Sequence, residues 1–242
     1  MPTLEHVWLG RIPYREAWAL QRRLATARAS GEIGDTLLLV EHPAVFTMGR
    51  TGSPDHLLGG SGHLVARGAE YVEVDRGGSV TFHGPGQLVA YPILALADVF
   101  PNPGGTAGLG DVVAHLRALE QALITTVLAY GIESTRRPPY TGIWVGDRKL
   151  AAIGVKLASG VTTHGAALNV TTDLSWFAEV VPCGIEGAGV ASLASLGVKP
   201  PPRLHDVAVR FAGALAEVIG HSPVRVGERT LAVIAGAAAV SA

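Results

Sequence analysis

Apolar and polar positions divide the chain into stretches of helical and of strand period. In residues 13–29, Ala17, Leu20, Leu24 and Ala27 recur at helical spacing, with Tyr14 and Trp18 alongside. A long helix is predicted over 112–130, with Val113, Leu116, Leu119, Leu123 and Val127 on one side. Asp111 is placed to cap it and Gly131 to end it. A third helix is predicted over 203–220, and Asp173 can cap a short one over 174–180. The run 36–41 is apolar almost throughout, which predicts a strand buried on both faces, and 44–48 reads as another after Pro43. Residues 79–83 and 87–94 flank Gly84-Pro85-Gly86 and read as a hairpin, entered from the alternating run 71–75. Further antiparallel runs are predicted at 143–145, 149–158 and 162–171, the first two joined by a turn at Gly146-Asp147. The glycine-rich stretches 49–67 and 101–110 are predicted to be loops. Neither supplies the Lys-Ser/Thr that a phosphate loop requires.

Helices interspersed with hairpins, with no linker and no repeat, predict an α+β fold: one domain over 1–228 with a mixed, largely antiparallel sheet and packed helices. The Ala- and Val-rich tail 229–242 is set apart as uncertain. A chain of 242 residues with 48% apolar content can bury a full core. The net charge of −1 argues against a nucleic-acid binder held by bulk charge. No apolar run reaches membrane-spanning length and residues 1–11 lack an apolar signal core, so a cytoplasmic protein without membrane contact is expected.

The chain has one cysteine, Cys183, which excludes a disulfide framework and any multi-cysteine zinc site. Pro182 and Gly184 flank it, and neither belongs inside a strand or helix, so the thiol is expected at a turn. A reactive thiol needs a neighbour that stabilises its thiolate. Lys149, opening an apolar strand, is the candidate, with His83 and His164 as the other polar residues beside glycine in strands. No histidine pair has metalloenzyme spacing, so no metal is expected. Around the bare backbone of Gly77 and Gly78, where a chain or ligand can approach closely, stand Arg76, Ser79, Thr81, His83 and Gln87.

Four stretches in order, residues 76–88 (RGGSVTFHGPGQL), 149–154 (KLAAIG), 163–169 (THGAALN) and 182–185 (PCGI), resemble the bacterial octanoyltransferases. The likeness runs from about residue 36 to 196. It implies the fold of biotin and lipoate protein ligase catalytic domains and transfer of octanoyl from acyl carrier protein to a lysine of lipoyl domains. These acceptors are the lipoyl domains of 2-oxoacid dehydrogenase complexes and the glycine cleavage H protein. The resemblance implies Cys183 as the acyl-enzyme nucleophile and Lys149 as its partner. Substrate contacts fall on Arg76, Gly77, Gly78, Ser79, Val80, Thr81, Phe82 and His83, on Ala152, Ile153 and Gly154, and on Gly165, Ala166 and Ala167. No cofactor of the enzyme's own is implied, since the donor carries phosphopantetheine. A local basic patch for the acidic carrier is expected from Arg76, Arg136, Arg137 and Arg148. The alternatives are an ATP-dependent ligase on the same fold, a papain-like hydrolase and a non-catalytic acyl-chain or lipoyl-domain binding module.

Overall fold

The computed structural model describes residues 1–105, 109–180 and 189–227; Cys183, the tip of the 101–110 loop and the tail from 228 onward lie outside them. The chain begins with a strand that its sequence period did not announce, β1 (Thr3–Arg11), in which Leu4 and Val7 point to opposite faces. Helix α1 (Tyr14–Ala29) follows, burying Ala17, Leu24 and Ala27 as expected from their spacing. Next come β2 (Asp35–Glu41) and β3 (Val45–Met48). The region expected to be a loop holds a helical turn at Pro54–His56 and a short helix, α2 (Gly60–Ala66). Leu57 and Leu64 are buried there, so packing overrides the poor helix propensity of Gly-Ser-Gly. Strands β4 (Glu70–Glu73), β5 (Val80–His83) and β6 (Gln87–Ile93) lead to α3 (Leu96–Val99).

Helix α4 (Val112–Leu128) is capped by Asp111, whose carboxylate accepts from the Ala114 N–H at 2.9 Å. Then come β7 (Thr135–Arg137), β8 (Tyr140–Val145), β9 (Arg148–Ala158) and β10 (Val161–Asn169). Asp173 caps the helical turn Leu174–Glu179, and β11 (Gly189–Val190), α5 (Leu204–Val218) and β12 (Ser222–Arg225) complete the described chain.

The larger sheet runs β12-β1-β2-β6-β10-β9-β8-β7, with β11 alongside β9. Pairing is antiparallel from β2 to β7, while β1 lies parallel to both β2 and β12. Strand β2 shows why the sheet is covered on both sides. Leu37 and Leu39 join the core under α4 and α5, and Leu38 and Val40 join the core under α1. Each such side chain, fully buried, contributes roughly 1.5–3 kcal/mol.

The predicted hairpin of residues 79–83 and 87–94 does not exist. Strand β5 pairs with β3 in a separate sheet of order β4-β3-β5, whereas β6 pairs with β2 and β10 in the larger one. Gly84-Pro85-Gly86 therefore carries the chain from one sheet to the other, and His42-Pro43-Ala44 does the same between β2 and β3. Burial explains the split. Phe82 and Val80 alternate onto a face shared with Phe46, Leu64, Trp176 and Phe177, while all seven residues of β6 are buried, as befits a strand inside a sheet covered on both faces.

Candidate active site

Where the two sheets face each other they enclose a pocket of about 590 Å³, counting the space open at its mouth. Its floor is one face of the larger sheet. Ala152 lies opposite Ala167, which lies opposite Val89, and in the next row Gly154 lies opposite Gly165. Four of these five residues are alanine or glycine, so the floor is apolar and low. At Gly154 a Cβ would stand 2.9 Å from the Gly77 carbonyl oxygen, and at Gly165 2.1 Å from that of Ala90; both must be bare. The roof comes from the smaller sheet, through Ser79, Val80, Thr81 and His83, together with Arg76 and Gly78.

Lys149 reaches this pocket because of a β-bulge. Ile143 pairs with Ala151, but Trp144 pairs with Lys149, leaving Leu150 as an extra residue. Leu150 and Ala151 are consecutive yet both lie in the core under α4 and α5, and the shift returns Lys149 to the side of Ala152 and Gly154. Its ammonium sits 5.0 Å from the centroid of the Trp144 ring. The short strand β11 brings Val190, seven positions after Cys183 in sequence, into register with Lys149.

The inner end is polar and buried. Arg76, only 7% exposed, donates from Nη2 to the Thr47 carbonyl at 2.7 Å and its hydroxyl at 2.8 Å, and from Nη1 to the Gly77 carbonyl at 3.0 Å. Gln87 donates to the Phe82 carbonyl and to Asn169 Oδ1, so its own Oε1 accepts from Nδ1–H of His83 at 2.7 Å. His42 donates to the Ile12 carbonyl and accepts from the Tyr91 hydroxyl at 2.7 Å. His164 donates from Nε2 to Asp75 at 2.9 Å and accepts at Nδ1 from the Tyr14 hydroxyl at 3.4 Å. Burial lowers the histidine pKa values, to about 3 for His83, where His42 and Arg76 add to the effect, and to about 4 for His42. His164 is lowered too, by burial first, although Asp75 opposes it. All three rings are therefore neutral near pH 7. Burial raises the Tyr14 and Tyr91 hydroxyls, which stay protonated. At Asp75 burial works against the charge, but hydrogen bonds from Lys156 and His164 outweigh it and hold the carboxyl below its ordinary value.

Of the residues expected from sequence, Arg76, Gly78, Ser79, Val80, Thr81, His83, Lys149, Ala152, Ile153, Gly154, Gly165, Ala166 and Ala167 line this one pocket. Gly77 and Phe82 do not. Gly77 donates to the Val155 carbonyl at 2.9 Å, so what approaches its bare backbone is β9, and Phe82 stacks on Trp176 with centroids 5.3 Å apart. The expected basic patch is also corrected. Arg76 is buried, and Arg136 is committed to the buried carboxylate of Glu120 at 3.0 Å, leaving Arg137 and Arg148 exposed. Tyr14 and Tyr91 line the pocket without having been singled out, and the Asp75–His164 pair joins residues 89 positions apart, a separation no local motif reveals.

A family model described as "Lipoyl protein ligase A/B catalytic domain" matches residues 13–216. An octanoyltransferase of Chloroflexus aggregans is 49% identical over 93% of this chain and 98% of its own length. One of Solibacter usitatus is 50% identical over 87% and 90%. Among solved structures, a lipoate-protein ligase A bound with ATP superposes with a TM-score of 0.74 at 14% identity, covering 98% of this chain and 93% of that one, which speaks to the fold alone. With a family model across most of its length and relatives at about half identity end to end, the chain belongs to the lipoyl protein ligase A/B catalytic-domain family and, within it, to the octanoyltransferases.

Proposed function

We propose that the protein transfers an octanoyl group from its acyl carrier protein thioester to the lysine amine of lipoyl domains, by way of a thioester on Cys183. The observation that carries this reading is the pocket. It has a low apolar floor wide enough for an unbranched chain, with a lysine at one end. Burying seven or so methylenes at about 0.8 kcal/mol each would supply roughly 5 kcal/mol of binding. The register of Val190, seven positions after Cys183 in sequence, with Lys149 supports pairing Cys183 with that lysine.

In the first step the Cys183 thiolate attacks the carrier thioester carbonyl; the carrier thiolate leaves and takes a proton, by this reading from Lys149. In the second, the acceptor amine attacks the Cys183 thioester, loses a proton to the lysine and forms an amide while the Cys183 thiolate departs. Exchange between thioesters is nearly isoenergetic, and the amide draws the sequence forward. Arg137 and Arg148, both exposed near Lys149 in the β7–β9 region, are the side chains proposed to meet the acidic carrier. Among the described residues no helix is long and apolar enough to cross a membrane.

The test is intact-protein mass spectrometry after mixing with octanoyl-carrier protein without ATP. The wild-type chain should gain one octanoyl group and pass it to a lipoyl domain, and Cys183→Ala should do neither. An adduct on the alanine variant would overturn the assignment.

A further inference from the structure

The face of the β9–β10 ladder that floors the pocket continues beyond it. After the pairs Ala152–Ala167 and Gly154–Gly165 come Lys156–Thr163 and Ala158–Val161, and these line a second cavity, of about 800 Å³ including its open side, walled across from the sheet by Trp18 and Thr26 of α1. One ladder face thus carries two cavities in line. Between them stands His164. Its ring is held on the side of the first cavity by Tyr14, lies 6.1 Å from the Trp18 ring that lines the second, and donates to Asp75, which also lines the second.

The backbone is built to put the ring there. In a regular strand His164 would point away from the face shared by Thr163 and Gly165, as its partner Val155 does, packing against the core under α4 and α5. Instead its φ is +58°, in the left-handed region that a histidine seldom adopts, and its N–H donates to Gln21 Oε1 at 2.7 Å. Strain of this kind persists only where surrounding contacts over-determine it. Here those contacts turn the imidazole across the ladder.

We propose that the His164–Asp75 pair is the end wall of the acyl site and sets the longest acyl chain that the enzyme accepts, by closing off the cavity behind it. This rests on the acyl-transfer reading above. The pair would act as a specificity-determining element, and opening it would let longer unbranched chains pass along the same floor, each further methylene buried being worth about fourfold in kcat/KM.

The test is His164→Gly, assayed with octanoyl-, decanoyl- and dodecanoyl-carrier protein. Glycine removes the imidazole part of the wall, leaving Asp75 held by Lys156, and favours the positive φ, so this variant is expected to fold. The dodecanoyl-to-octanoyl ratio of kcat/KM should rise by at least about tenfold over wild type. Adding Thr26→Phe, which fills the second cavity from its exposed α1 side, should return the ratio toward wild type. A ratio unchanged in His164→Gly, or raised equally with and without Thr26→Phe, would overturn the proposal. A wild-type chain that fails to transfer octanoyl at all would instead refute the acyl-transfer reading, so the two failures are told apart.

Discussion

His115 offers a clean measurement of what a buried imidazole does to stability, because it lies in α4 away from the pocket. It is fully buried, its ring centroid is 6.0 Å from that of Phe100, and neither ring nitrogen meets a hydrogen-bonding group among the described residues. Burial lowers its pKa to about 4 from an ordinary value of 6.5. The unfolded chain therefore takes up a proton as pH falls through 6.5, while the folded chain resists until about 4, so stability is complete above 6.5 and is lost as pH drops across that window. The slope is about 1.4 kcal/mol per pH unit, which makes the loss by pH 5 about 2 kcal/mol for this one ring. His115→Leu abolishes it, and at pH 7.5 also removes an unsatisfied polar group whose burial costs roughly 1–3 kcal/mol. Urea unfolding of both chains at pH 7.5 and 5.0 measures the difference. The variant should match or exceed wild type at pH 7.5 and gain about a further 2 kcal/mol on it at pH 5.0. His42 and His83 also weaken the fold in acid, but they are common to both chains and cancel. Parallel pH dependences for the two proteins would refute the reasoning.

Three other outcomes follow from contacts described above. Glu120 is fully buried and accepts from Arg117, Arg136 and the Gly142 N–H, joining α4 to β7 and β8; Glu120→Ala should cost about 3–5 kcal/mol in urea unfolding, and Glu120→Gln less. Gly154→Leu would press on the Gly77 carbonyl and Arg76 and fill the pocket floor, so kcat/KM of the folded fraction for octanoyl-carrier protein should fall at least about tenfold and stability should drop by at least about 1–3 kcal/mol. If Lys149 pairs with Cys183 as proposed, Lys149→Met should move the rise in Cys183 alkylation by iodoacetamide to higher pH, since an ammonium beside a thiol favours the thiolate; an unchanged profile would point to another activator.

The sequence made the interior of the larger sheet easy to read, because residues 37–40 are apolar without interruption and the turn at Gly146-Asp147 joins two strands that do pair. It misled at β5 and β6. Two strand-like runs around Gly-Pro-Gly satisfy every local condition for a hairpin, and only the distant partners β2 and β3 decide that each run belongs to a different sheet. The helix at α2 was hidden by its glycines, since what stabilises it is Leu64 packing on Phe82 and Phe46, a tertiary contact. At the pocket, the small residues of β9 and β10 could be found because a familiar motif marked them. The bulge that turns Lys149 inward could not, because neither Leu150 nor Ala151 is unusual in composition. Tyr14, His42 and Tyr91 were equally silent: each looks like an ordinary core residue until its polar end meets another from elsewhere in the chain.

That bulge has a consequence for how this stretch can change over time. In a plain strand, odd and even positions answer to opposite sides, and the assignment is fixed by counting from either end. At Leu150 the count is broken once, so the residues before it follow one parity and those after it the other. The lysine's direction is therefore owned by no single side chain, and exchanging Leu150 for another apolar residue leaves it intact. Losing one residue there would send the ammonium to the helix side and keep every amino-acid type in the pocket unchanged. Apolar exchanges at Leu150 are then expected to spare the lysine's direction, whereas deleting one residue between Lys149 and Ala152 would reverse it.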